Sequence, residues 1–175
     1  MPTQERTLLR LPMPPGGLDL PGTLDCGQAF RWRPSGEAPG RWEGVAGSRP
    51  AALWTEEGTL LLEVPQGEEP FWRRYLDLDR DYGRIREELS ADPVLKEAVR
   101  YGWGMRVLNQ DPWETLISFI LSANNNIKRI KGIIEKLSEA YGREIHWKGR
   151  TYYTFPTPAA LSRAGEESLR ACGCG

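Results

Sequence analysis

The sequence predicts an α+β protein in which a small antiparallel sheet comes first and helices follow. Two observations carry that reading. Up to about residue 64, short runs of alternating apolar residues are broken by Gly and Pro, the pattern of short strands joined by turns. From about residue 68 the apolar spacing changes from two to three and four, the pattern of amphipathic helices. The 175 residues are 39% hydrophobic and 27% charged, which places the chain among ordinary folded proteins rather than disordered ones.

In order along the chain, residues 18–20 and 28–33 alternate as strands do, and their alternation puts Phe30 and Trp32 on one strand face. Residues 41–46, 51–55 and 59–64 supply three more strand candidates, the last two joined by a tight turn at Glu57-Gly58. The economical picture is a sheet of four or five strands with one face buried. Phe71, Trp72, Tyr75, Leu76 and Leu78 then match an amphipathic turn. Ile85 and Leu89 follow four apart, and Pro93 begins another helix that stops at residues 101–105. Trp32, Trp72 and Tyr75 are assigned to the core by their spacing.

The next helix has Asp111 as N-cap, Pro112 at its first position and Glu114 completing a capping box. Residues 116–121 are apolar almost all round, which predicts a buried core helix. A second helix repeats apolar residues at Ile127, Ile130, Ile133, Ile134 and Leu137 and is capped by Asn126. Residues 145–147 and 151–153 then suit a small hairpin, and Pro156 and Pro158 open a final short helix.

The net charge of -1 makes no global electrostatic case for nucleic acid. The distribution is uneven: residues 101–150 hold eight Lys and Arg, Arg106 among them, against five acids, a local net charge of +3. Cys26, Cys172 and Cys174 have no metal-site or disulfide-framework spacing and His146 is the one histidine, so neither a metal nor a cofactor is expected. No window suits a membrane span or a signal peptide, which points to the cytoplasm.

The most informative stretch is the junction of the two central helices, Ala123-Asn124-Asn125-Asn126-Ile127-Lys128-Arg129-Ile130-Lys131. It combines the open backbone N–H groups of a helix start, the positive end of the helix dipole and three cations, which suits a phosphate-rich partner. The alternative is a cap and turn beside a solvated basic face, since Asn tolerates left-handed backbone. A cap, however, needs only one of three consecutive amides.

This junction resembles the central helix junction of the 8-oxoguanine DNA glycosylases, within the helix-hairpin-helix superfamily. Two further stretches match in the same order: Cys26-Gly27-Gln28-Ala29-Phe30-Arg31-Trp32 upstream, and Tyr153-Thr154-Phe155-Pro156 with the Leu169-to-Gly175 segment downstream. The resemblance implies a sheet domain over residues 1–105 and, over 106–175, the start of a helical glycosylase domain, cut before its helix-hairpin-helix. It implies excision of an oxidised purine from double-stranded DNA opposite cytosine, with glycosylase and AP lyase chemistry. Lesion recognition falls to Gly27, Gln28 and Phe30, where the Gly27 carbonyl accepts the N7 hydrogen that 8-oxoguanine has and guanine lacks. Asn124 and Arg129 read the unpaired cytosine, and Asn125, Asn126, Lys128 and Lys131 contact the DNA backbone. The family's catalytic lysine and aspartate are expected beyond Gly175, so these residues alone are expected to be inactive. A monomer is implied for the full-length family, and association here through exposed core. Two other readings stand beside this one: a non-catalytic damaged-DNA-binding module acting with a separate chain, and a globular domain without nucleic-acid function.

Overall fold

A computed structural model describes residues 6–174. Five strands, β1 (Arg6–Pro12), β2 (Trp32–Pro34), β3 (Trp42–Ala46), β4 (Arg49–Glu56) and β5 (Thr59–Pro65), form one antiparallel sheet in the order β1-β5-β4-β3-β2. Strands β2 to β5 are a meander. The β4–β5 turn places Glu57 at φ 46° and Gly58 at φ 75°, the double left-handed geometry whose twist matches a two-residue hairpin. Strand β1 returns to the far edge, paired with β5 from Arg6↔Pro65 to Pro12↔Thr59. It escapes the sequence reading because its partner lies more than forty residues away.

The inner face of the sheet carries Trp42, Ala46, Leu53, Leu60, Leu62 and Val64. It is sealed by α1 (Leu20–Leu24) and α2 (Glu69–Tyr75) through Leu24, Trp72 and Tyr75, with Leu76 just after α2. Trp32, Trp72 and Tyr75 are core as expected, 1%, 0% and 5% exposed, and the Trp32 indole N–H donates to the Tyr75 hydroxyl at 2.9 Å. A fully buried leucine contributes about 1.5–3 kcal/mol by leaving water, so this face dominates the sheet's stability.

The outer face is covered as well, which corrects the expectation of one buried face. Val45 and Ala52 pack under Trp147 and Tyr152 of the hairpin β6 (Glu144–Trp147) and β7 (Arg150–Tyr153). Glu43, 3% exposed on that face, accepts from Arg150 at 2.7 Å and from Arg33 at 3.2 Å. Lys148 in the hairpin turn reaches Glu37 at 2.8 Å and Glu63 at 3.1 Å.

The helices that follow are α3 (Tyr82–Ser90), α4 (Pro93–Tyr101), α5 (Pro112–Ser122), α6 (Ile127–Tyr141), α7 (Pro158–Leu161) and α8 (Glu166–Cys172). The last two replace the single short helix expected after Pro156, because Thr157 and Gly165 each open a separate one. Three local readings also change. Residues 18–20 are not a strand, since Asp19 accepts from the Gly22 N–H at 3.1 Å and caps α1. The strand expected over 28–33 begins only at Trp32, because residues 25–28, 30 and 31 are bends that carry the chain from the sheet towards the helices. Phe30 therefore packs with Ile130, Ile134 and Phe155, while Trp32 packs into the sheet core. Helix α5 is not buried: Leu116, Phe119 and Ile120 are 51%, 75% and 58% exposed, since only one side of it meets the rest of the chain.

Candidate nucleic-acid interface

Helix α6 organises the candidate site by its own periodicity. Ile130, Lys131 and Ile134 follow Ile127 at offsets of three, four and seven, so the four residues share one side of the helix. That side faces the bend carrying Gly27. A Cβ built on Gly27 would stand 3.4 Å from the Ile127 Cδ1, and the residue has φ +94°, a conformation that favours glycine. The loop expected to read the lesion and the helix expected to read the opposite base are thus neighbours, with about a methyl group's width between Gly27 and Ile127. No donor among the described residues bonds the Gly27 carbonyl.

The three amides of the junction divide their work. The Asn125 Nδ2 donates to the Leu121 carbonyl at 2.8 Å and closes α5. The Asn126 Oδ1 accepts from the Arg129 backbone N–H at 2.9 Å and opens α6. Asn124 sits between them at φ +58°, exposed, with no side-chain partner among the described residues. Two of the three are therefore caps, as the simpler reading held, and one is left over. The side chains of Lys128 and Arg129 are exposed and have no ion-pair partner among the described residues. Lys131 differs: its ammonium donates to Asp25 at 2.6 Å and to the Trp32 carbonyl at 3.0 Å.

Gln28 uses its side-chain amide inward. Nε2 donates to the Thr23 and Arg106 carbonyls, both at 2.8 Å, and Oε1 accepts from the Leu108 N–H at 3.0 Å. Those bonds fasten the Gly27 bend to α1 and to the segment before α5. Phe30 is half-buried against the α5–α6 core. Arg106 leaves the basic face on which its charge was counted: it is 0% exposed and donates to the carbonyls of Gly17, Pro15 and Asp77. Desolvation lowers its pKa.

A buried ion pair supports the same region, and no sequence motif announces it. Asp111 caps α5 by accepting from the Glu114 N–H at 2.9 Å, but the Glu114 carboxylate does not complete the capping box. It stands 3.9 Å from Arg31 Nη1, with side-chain exposures of 13% and 10%. Desolvation raises Glu114 to about 7 against the pull of Arg31, and desolvation lowers Arg31. Arg31 also donates to the Tyr153 carbonyl, so it ties the bend to both α5 and β7. The other lysines offer no enclosed amine: Lys96, Lys128 and Lys136 are exposed, and Lys148 is held between Glu37 and Glu63. No helix of the described residues is long and apolar enough to cross a membrane.

Residues 10–116 match the 8-oxoguanine DNA glycosylase N-terminal domain, and residues 117–175 match the HhH-GPD superfamily of base excision DNA repair proteins. An Arabidopsis thaliana protein named N-glycosylase/DNA lyase OGG1 is 31% identical over 166 residues, covering 90% of this chain and 45% of that protein. A Clostridium acetobutylicum 8-oxoguanine glycosylase/lyase, solved with double-stranded DNA containing cytosine opposite 8-oxoG, superposes with a TM-score of 0.85 at 39% identity. That match covers 90% of this chain and 55% of the other. A structure described as MBOgg1 with a low affinity DNA ligand gives a TM-score of 0.88 at 41% identity, covering 97% and 58%. The chain spans about half the length of these relatives.

Proposed function

The chain belongs to the 8-oxoguanine DNA glycosylase family, and from that premise we propose that it carries the base-recognition portion of an 8-oxoguanine DNA N-glycosylase/AP lyase. Its partner on this reading is duplex DNA holding an oxidised purine opposite cytosine. The observation that carries the reading is that the Gly27 bend lies beside Ile127 and is bonded to the same helix through Asp25 and Lys131, which brings the two recognition elements together. An enzyme that extrudes a base must read the base and also fill or read the place opposite it. The Gly27 carbonyl is an acceptor suited to the N7 hydrogen of 8-oxoguanine. A lost hydrogen bond there leaves a buried acceptor unpaired, at a cost of about 1–3 kcal/mol against guanine. Arg129 offers a fork of donors for the two acceptors of an unpaired cytosine, and Asn124 both donates and accepts. Lys128 and the open backbone N–H of Asn126 contribute phosphate contacts, beside Asn125, whose own N–H is held by the Ser122 carbonyl at 3.2 Å. No catalytic residue is assigned among residues 6–174. The exposed side of α5 is the surface through which isolated chains would associate.

Fluorescence anisotropy with three duplexes tests this: 8-oxoguanine opposite cytosine, 8-oxoguanine opposite adenine, and undamaged guanine opposite cytosine. The chain is expected to prefer the first, weakly and with strong salt dependence. Arg129→Ala should remove about 1–3 kcal/mol of preference for cytosine over adenine. Equal affinity of the unaltered chain for all three duplexes would overturn the reading.

A further inference from the structure

We propose that Lys131 is a positioning residue, whose ammonium pins the Asp25-to-Gln28 bend against α6 so that Gly27 and Arg129 are held in one fixed register. The proposal rests on the recognition reading above, but its geometry stands apart from it. Lys131 lies four residues after Ile127, hence on the same side of α6, and helical side chains lean back towards the helix N-terminus. The lean carries its ammonium to Asp25 Oδ1 at 2.6 Å and to the Trp32 carbonyl at 3.0 Å, on either side of Gly27 in the chain. Ile127, one turn earlier, faces Gly27 between those two points. Arg129, two residues before Lys131, projects away from this side, while Lys128, three residues before it, borders this side and is exposed.

The remaining fastenings of the bend run elsewhere. Gln28 ties it to Thr23, Arg106 and Leu108 and accepts at its carbonyl from the Gln110 side chain, and Arg31 ties it to Glu114 and Tyr153. Among these side-chain bonds, the one from Lys131 is what joins the bend to α6. The ammonium is also the least exposed cation of the junction, at 24% for its side chain. An amine that already donates to a carboxylate and a carbonyl is poorly placed to lead a phosphate contact, and the Asp25 charge beside it repels phosphate. The α6 cations therefore divide: Lys128 and Arg129 face outwards, and Lys131 sets where they stand relative to Gly27.

Two measurements on the full chain test this. The first is amide hydrogen exchange, without DNA, at Asp25, whose N–H donates to the Pro21 carbonyl, and at Leu108, whose N–H donates to Gln28, compared for the unaltered chain, Lys131→Met, Asp25→Asn and the charge exchange Asp25→Lys with Lys131→Asp. Each single variant is expected to speed exchange there by about two- to fivefold, the range of a part-exposed ion pair, and the charge exchange to restore it in part. The second is duplex binding at several salt concentrations. Lys131→Met should lower the ratio of affinities for 8-oxoguanine over guanine by about two- to fivefold and leave the salt slope unchanged. A salt slope reduced by about one, with all duplexes weakened alike, would mark Lys131 as a phosphate contact and overturn the proposal. Exchange at Asp25 and Leu108 unchanged in both single variants overturns it too. An unaltered chain with no lesion preference removes the recognition reading instead, and the exchange measurement still decides whether the tether exists.

Discussion

Glu114 is a residue placed by one interaction and titrated by another. Its backbone N–H is held by the Asp111 cap, and that fixes the carboxylate in the gap beside Arg31. There the loss of water outweighs the nearby guanidinium and raises the carboxyl to about 7. With a folded pKa above its unfolded value of 4.5, the native state binds more protons across the window from 4.5 to about 7. Stability from this group is therefore full below that window and declines as pH rises through it. We expect a loss on the order of 2 kcal/mol between about pH 5 and pH 8. Denaturant unfolding at three pH values measures it, and Glu114→Gln should flatten this limb. If the glutamine variant keeps the same slope, another group is responsible. The same group links proton binding to the recognition bend, because Arg31 is anchored at its other end on Tyr153.

Among the elements, α6 does the most distinct jobs on separate sides. Ile130 and Ile134 pack against Phe30 and Phe155, Ile133 and Leu137 pack against Cys172, and Lys128 and Arg129 are left to solvent. Its start depends on Asn126. Asn126→Ala should lower global stability by about 1 kcal/mol, while Asn126→Ser should keep most of it, as thermal unfolding can check. Equal losses in both variants would mean that the side-chain cap is not what holds this helix start. The helix is legible in the sequence because a period of 3.6 is a local property, recorded in Ile127, Ile130, Ile133, Ile134 and Leu137. So are its cap and the hairpin turn at Glu57-Gly58. Pairings between distant residues leave no such local record. Asp25 and Lys131 are 106 residues apart, and Arg106 looks like any surface cation until the 15–17 and 77–80 segments present their carbonyls to it. The bend at residues 25–28 escapes for a related reason. Alternation in 28–33 is real, but Phe30 and Trp32 satisfy it in two different cores.

For the whole molecule, apolar surface is buried unevenly. The sheet is covered on both faces, yet Leu116, Phe119 and Ile120 on one side of α5 are 51%, 75% and 58% exposed. A soluble monomer rarely leaves such residues together in the open. Sedimentation velocity at two concentrations is expected to show concentration-dependent association, reduced by Phe119→Ser. A monodisperse monomer at both concentrations would show that this surface is not sticky under those conditions. The outer face of the sheet has a different history. Glu43 is closed over by Arg150, 107 residues later in the chain. At ordinary synthesis rates of roughly 5–20 residues per second, the hairpin emerges on the order of ten seconds after the sheet it covers. Through that interval a nascent sheet shows Val45 and Ala52 to its surroundings, with Glu43 balanced by Arg33 alone. The time of greatest exposure to chaperones and to misassembly therefore falls during translation, and it ends when the β6–β7 hairpin leaves the ribosome.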